Sequence, residues 1–258
     1  MKTYFSYLKI NLKTQIEHRL AFLMLIFSQS IGSVFSLLGV YFLFESFSAL
    51  DSWSFEEVAF MFAVTNLIYN VAQLLFRGLG HFKDLIKLGE VDRLLIRPRS
   101  IILQALGGEV AFNKIGACIL NLIILIIAVN SLNIDFSFIN ILILVLIVMG
   151  GLVIFLGVML IGAAVSIYTI EGSEIANIIS YGGKEAMQYP ITIYDKWFRG
   201  FLTFIVPFAT VNYIPLLYLL GRSNNLLHAF APLIGGLFVI PCFYIFKRSM
   251  SYYTSSGS

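Results

Sequence analysis

Two groups of residues in this chain have the type and spacing to do more than pack. Asn66, Asn70 and Gln73 recur at i, i+4 and i+7, which places three amides on one face of a helix. In an apolar segment such amides need hydrogen-bond partners, so this face must look toward other helices or a watery path rather than lipid. The second group lies between Arg77 and Lys114, which hold seven of the chain's seventeen Lys and Arg residues, with Asp84, Glu90, Asp92 and Glu109 among them. A stretch so charged, set between apolar runs, stays in water and can meet a polar partner. Its four acids and the lack of an aromatic ladder argue against nucleic acid, and the bias of Lys and Arg toward the cytoplasmic side of a membrane accounts for its basicity.

No arrangement for catalysis is present. There is no G-x-x-x-x-G-K-[ST] loop; the nearest fragment, Gly182-Gly183-Lys184, has Ile178 at the first glycine position and Glu185 where Ser or Thr belongs. This chain is therefore not expected to hydrolyse ATP, and no catalytic residue is assigned. His18, His81 and His228 are far apart and no H-E-x-x-H occurs, so no metal site is expected. A G-x-S-x-G elbow is also missing.

What must position these groups is a membrane bundle. Of 258 residues 59% are hydrophobic and 12% charged, and the mean hydropathy is +0.90, outside the soluble range. A span needs about 20 mainly apolar residues, which leaves room for roughly six. Cys118 and Cys242 each fall in an apolar run and read as buried free thiols. Residues 1–19 carry Lys2, Lys9, Lys13 and Arg19, with Phe5, Leu8, Leu12 and Ile16 at helical spacing, the pattern of an interfacial amphipathic helix with a cytoplasmic N-terminus.

Spans are expected at 20–44 and 58–76, joined by an outer loop with Glu45, Asp51, Glu56 and Glu57 and no cation. Ser28, Gly32 and Ser36 form a small-residue ridge on the first. After the cytoplasmic stretch 77–114, whose residues Ser100 to Asn113 read as a cytoplasmic or interfacial helix, a third span is expected at 115–129. Starting it at Ile101 would bury Glu109 and Lys114. The fourth, 138–167, exceeds what a bilayer requires and contains Gly150, Gly151, Gly157 and Gly162, so it should bend or tilt. The last is 226–246, followed by cytoplasmic Lys247 and Arg248.

Residues 171–222 allow two readings. Hydropathy keeps 171–196 in the cytoplasm and makes 197–220 a span. Alternatively 173–189 crosses as a polar helix shielded by protein, and 190–222 dips into the outer leaflet and returns. Pro190, Pro207 and Pro215 suit the second, since a broken hairpin accommodates proline more easily than a straight span. Lys196 and Arg199 suit the first, because the second leaves them outside.

Two motifs resemble those of the ABC-2-type permeases, the six-span bacterial membrane subunits of ATP-binding-cassette exporters. Gly89-Glu90-Val91-Asp92-Arg93-Leu94-Leu95-Ile96-Arg97-Pro98 is similar to that family's G-x-[LV]-D-x-L-L-x-R-P. Tyr189-Pro190-Ile191-Thr192-Ile193-Tyr194 with Trp197, then Ile205-Val206-Pro207-Phe208-Ala209 and Asn212-Tyr213-Ile214-Pro215, resembles its YP motif and the IPFAFVNYxP-type run after it.

The resemblance implies one all-α integral membrane domain over 1–258. It has six spans, an N-terminal interfacial helix, a coupling helix within 77–114 that sits in a cleft of the ATPase, and a re-entrant outer segment at 190–222. It thereby favours 173–189 as the fifth span. Asp84, Glu90, Asp92, Arg93 and Arg97 become the candidates for ATPase contacts. Asn66, Asn70 and Gln73 become candidates for the path or dimer interface, and Tyr189, Pro190, Tyr194, Pro207 and Pro215 for the re-entrant motif. The implied function is a permease subunit of an ATP-driven exporter in a bacterial cytoplasmic membrane, both termini cytoplasmic. Its implied partners are two copies of an ABC ATPase and a second permease, a heterodimer being favoured. It would bind no cofactor itself; ATP and Mg2+ belong to the ATPase. Two rivals remain: an ATP-independent secondary transporter or channel, and a noncatalytic immunity or scaffold protein.

Overall fold

A computed structural model describes residues 2–47, 52–135, 137–169 and 172–255, with residues 2, 3 and 47 described in the backbone only. Asp51 of the acidic loop, Glu171 and the end of the Ser-rich tail lie outside the described residues. The fold is all helix, with no strand among the described residues. Five helical stretches are long and apolar enough to cross a bilayer: 19–46, 55–87, 112–131, 138–166 and 231–250. A bent pair, 196–205 with 208–219, makes a sixth if it is counted as one.

Helix α1 (Lys2–Glu17) precedes the long α2 (Arg19–Phe47), which is largely exposed along its length. Along α1, Leu8 and Leu12 are half-buried while Phe5 and Ile16 are exposed; the face on the protein also carries Asn11 and Gln15. Their amides donate to the carbonyls of Gly107 (2.9 Å) and Val110 (2.6 Å), so α1 is held by polar bonds as well as by the apolar stripe.

Helix α3 (Phe55–Gly80) starts at a capping box, Ser54 Oγ accepting from Glu57 N–H and Glu57 Oε2 accepting from Ser54 N–H. It is the central helix, most of its first two-thirds being buried, and it runs four residues beyond the expected end at 76. Three short helices follow, α4 (Phe82–Lys87), α5 (Glu90–Leu95) and α6 (Ile101–Gly108). The first two meet at Gly89, whose φ of 66° requires a residue without Cβ strain. The single helix expected over 100–113 is instead cut at Gly108: Glu109 is extended, because α1 side chains capture the carbonyls that the helix would otherwise use internally.

Helix α7 (Ile115–Ser131) leads to α8 (Phe138–Ser166), one uninterrupted helix. Its glycines are sites of close approach rather than breaks in the helix. A Cβ at Gly150 would stand 2.8 Å from Pro232, at Gly151 2.7 Å from Ile68, and at Gly162 2.2 Å from Ala176. With Gly157 likewise against Phe238, four neighbouring segments share one long helix.

Helix α9 (Gly172–Met187) packs on α8 and α3, with Ala176 against Gly162 of α8, and its Gly183 lies against the Phe208 ring. Its 16 residues reach only about 24 Å, and with Glu174, Lys184 and Glu185 it does not meet the length and apolarity of a span. Next come α10 (Lys196–Gly200), a π-helical turn over 201–205, a break at Pro207, and α11 (Tyr213–Leu219), the two arms crossing at 76°.

The last segment differs from the straight span expected at 226–246. It is divided into α12 (Leu226–Ala229), α13 (Ala231–Gly236) and α14 (Val239–Met250). Pro241 cannot donate to the Leu237 carbonyl, which accepts from Ile240 N–H at 3.1 Å instead. Cys242 is buried and Cys118 half-buried, and neither is in a disulfide.

Helix α9 ends inside the bundle, and the motif residues after it satisfy its last carbonyls. Tyr194 Oη donates to Ala186 C=O (3.1 Å), and Asn212 Nδ2 donates to Met187 C=O and to Thr65 Oγ1 (both 2.7 Å). Thr65 Oγ1 in turn donates to Met187 C=O at 3.2 Å. Thr65 and Asn212 are almost wholly buried, so water cannot replace these bonds. Asn212→Ala should cost about 1–3 kcal/mol and lower the thermal unfolding midpoint in detergent, with a smaller loss for Tyr194→Phe. An unchanged midpoint in Asn212→Ala would mean that Thr65 alone suffices.

Candidate functional site

Three polar assemblies interrupt the apolar packing. The first is a cavity of about 250 Å3 between α2, α3, α7 and α9, lined by Asn66, Asn70, Ser33, Lys114 and Lys184 among others. Asn66 and Asn70 are buried and donate to the carbonyls of Phe62 (2.9 Å) and Asn66 (2.8 Å). Gln73, half-buried, is not among the lining residues: it shares their face but lies about 10 Å further along α3 than Asn66.

Lys184 is 8% exposed; its ammonium pairs with Glu185 (2.7 Å) and lies over the rings of Tyr181 (4.8 Å) and Tyr69 (5.6 Å). Lys114 donates to Gln29 Oε1 at 2.6 Å. The sequence argument set Lys114 outside the bundle because a buried cation is costly. The tertiary structure brings it in beside Gln29, an amide four residues before Ser33 on α2.

The second assembly is the platform formed by α4, α5 and α6. Its anchors are apolar: Phe82, Val91 and Ala105 join Leu79, Met159, Leu160 and Phe246 in a core separate from the main one. Phe82 and Phe246 rings meet edge to face at 5.6 Å. Alpha6 lies so close to α3 that a Cβ at Gly78 would stand 1.9 Å from the Ala105 carbonyl oxygen. Among the charged candidates, Asp84, Glu90, Arg93 and Arg97 surround one cavity of about 380 Å3 with Tyr7, His81, Gln104 and Glu109.

Glu90 pairs with Arg93 at 3.4 Å, and His81 Nδ1 lies 3.7 Å from Asp84 and 3.1 Å from Glu109, which also holds Arg77. Asp92 is not in this group. It faces the C-terminal segment and accepts from Ser255 Oγ at 2.6 Å. Lys83 pairs with Glu174, joining the platform to the start of α9. On its surface Leu88, Leu95 and Ile96 are exposed, as are Arg93 and Arg97.

The third assembly closes the opposite end and was not singled out from sequence. Gly221, at φ 67°, turns the chain after α11 and presents Arg222 to the start of α3. There Arg222 donates to Glu57 Oε2 (2.8 Å) and Ser52 C=O (3.0 Å), and its guanidinium stacks 4.1 Å above the buried Trp53 ring. The only sequence signal was a cation and an acid in two segments both assigned to the outer side. The residues of the YP motif sit nearby: Pro190 is buried, Tyr189 and Tyr194 pack against the main core, and Pro207 and Pro215 mark the break and the first turn of α11.

Several helices long and apolar enough to cross a bilayer, around a polar cavity and with a charged platform at one end, make a multi-pass membrane bundle. The model of the family described as ABC-2 family transporter protein matches residues 31–257, and the chain belongs to that family. It is thus a membrane permease component of the ABC-transporter type. No curated protein and no solved structure matches the chain.

Because Glu57 is mostly buried, Arg222→Ala leaves its carboxylate with only the Ser54 N–H. The change should cost about 1–3 kcal/mol, a range reduced for the partial exposure of Arg222. Adding Glu57→Gln should recover part of it in a double-mutant cycle of unfolding midpoints; strictly additive losses would show that the two residues are not coupled.

Proposed function

We propose that this chain is the permease subunit of an ATP-driven exporter, forming the path with a second permease and driven by two copies of a separate ABC ATPase that binds the ATP and Mg2+. The observation that carries this reading, beyond family membership, is the build of the platform over 77–114. Its apolar side is fixed to α3, α8 and α14, while its other side offers Arg93 and Arg97 next to exposed Leu88, Leu95 and Ile96. A rigid body of this kind can pass the movement of a docked ATPase to several spans at once. Asp84, Glu90, Arg93 and Arg97 are one group of proposed docking contacts, and Asp92 acts from the other face of α5.

The re-entrant reading of 190–222 is supported by where its two ends bind. Residues 187–194 bond near Thr65, about 12 Å along α3 from Glu57, whereas Arg222 bonds Glu57 itself in the first turn. Helix α9 begins at the platform through Lys83 and Glu174, so the segment after it has only the outer part of the bundle left to fill. The exposed Trp197, stacked with Phe198 and Phe201, suits a headgroup boundary there. Under this reading both termini are cytoplasmic, the membrane is a bacterial cytoplasmic membrane, and a second permease completes the path. A heterodimer is the preferred assembly.

The experiment is affinity purification of the tagged chain from its native host in mild detergent, with its companions identified by mass spectrometry. A Walker-motif ATPase should come with it, and a second permease of different sequence; repeated isolation of the chain alone in several detergents would favour an autonomous transporter or a scaffold. Replacing Asp92 and Arg93 together by Ala should abolish transport-coupled ATP hydrolysis while leaving membrane insertion intact. Normal coupling in that variant would remove α5 from the interface.

A further inference from the structure

The cavity beside Lys114 and Lys184 has a charge that packing does not explain. Lys184 is neutralised by Glu185, but Lys114 has an amide for its partner, and among the described residues no carboxylate pairs with it. The cations Arg77 and Lys184 instead lie close enough to repel it. Its place in the chain does not help either: Lys114 is the N-cap of α7, the helix end at which a positive charge is disfavoured. A half-buried ammonium held against its neighbours and against a helix dipole lowers stability, and an anion placed between the two lysines would reverse both terms.

The rest of the cavity fits such a ligand. Ser33 Oγ accepts from Asn121 Nδ2 at 3.3 Å, which leaves the Ser33 proton for another acceptor. At about 250 Å3 the space falls short of the ~300–1,000 Å3 typical of drug-sized ligands and suits a headgroup. One wall is open, since nothing lies within 4 Å of a Cβ at Gly32, and the adjoining surface of α2 is apolar, with Phe27, Phe35 and Leu38 exposed. A polar chamber opening sideways onto an apolar helix face matches a molecule with an anionic head and a hydrophobic tail.

We propose that this cavity receives the phosphate or carboxylate group of an anionic amphiphile, held between Lys114 and Lys184, as the substrate or an obligatory lipid of the transporter. The proposal rests on the reading of the chain as a transport subunit and names the class of molecule that its path accepts.

The test is native mass spectrometry of the full-length chain, purified with equal amounts of dioleoylphosphatidylglycerol and dioleoylphosphatidylcholine. The unaltered chain should retain the anionic lipid about tenfold over the zwitterionic one, and the combined Lys114→Gln and Lys184→Gln variant should lose that preference. The corresponding double Arg variant should keep it and serves as the control for folding, together with the gel-filtration profile. Should the double Gln variant fail to insert, Lys114→Gln alone carries the test, since Lys114 lies at the start of a helix rather than within one.

Equal retention of the two lipids by the unaltered chain, or an undiminished preference in the Gln variants, overturns the proposal. So does a variant that loses its partner permease but keeps the anionic lipid, which would make the lysines interface residues. Competition by millimolar inorganic phosphate, dependent on the same lysines, supports the site with a soluble anion as its source; its absence together with retained phosphatidylglycerol supports a lipid source. The measurement needs no ATPase, so loss of lysine-dependent binding in a chain that still purifies with an ATPase removes the anion site alone. Binding without any ATPase companion removes the exporter reading alone.

Discussion

The structure depends on a helix end that has no water to satisfy it. Helix α9 stops at Met187 within the bundle, where the last carbonyls of any helix lack internal donors. In a lipid-like interior each such group left alone costs several kcal/mol. Asn212, Thr65 and Tyr194 supply the donors, and in doing so they join α9 to the central α3 and to the bent segment that follows. The two-part YP and NYxP sequence is thus explained by hydrogen bonding: a tyrosine four residues after Pro190 and an asparagine 22 residues after that proline serve the same helix end. Without them a polar 16-residue helix could not finish where it does.

Charge is then distributed in three places with three different consequences. At one end Arg222, Glu57 and Trp53 close the start of α3 with a stacked and bonded cation. At the other, acids and bases alternate over a platform whose apolar underside forms a core of its own. Between them the cavity holds two lysines with a single carboxylate at hand. The first arrangement is internally balanced, and the second keeps its surplus cations, Arg93 and Arg97 among them, exposed at the surface where burial costs nothing. The third has more positive charge than its surroundings compensate, which is why it points to a ligand.

Much of the architecture was legible in one sequence. Apolar run length placed α2, α3, α7 and α8 to within a few residues, because each must satisfy its own backbone over a bilayer's thickness and so reads as a continuous run. Hydropathy alone did not find α9. Its apolar content is low, and it is sheltered by Gly162 and Phe208 of neighbouring elements rather than by its own side chains. Its helix was expected from the family motif that follows it. The breaks at Gly108 and at Leu237 were missed for a different reason. The first follows from α1 amides taking carbonyls nearly a hundred residues away, and the second from Pro241, which lies within the apolar run that was taken as one straight span.

Composition and local spacing were enough for the class of the protein, the helices α2, α3, α7 and α8, the basic stretch and the motifs that mark its family. Only the tertiary structure decided which polar groups face one another. Asn66 and Asn70 line the cavity while Gln73 does not; four charges of the platform share a cavity while Asp92 turns to the tail; Lys114 enters the bundle, and Arg222 reaches Glu57 across 165 residues. Such pairings are set by helix rotation and by distances between elements remote in the chain, and a linear pattern contains neither.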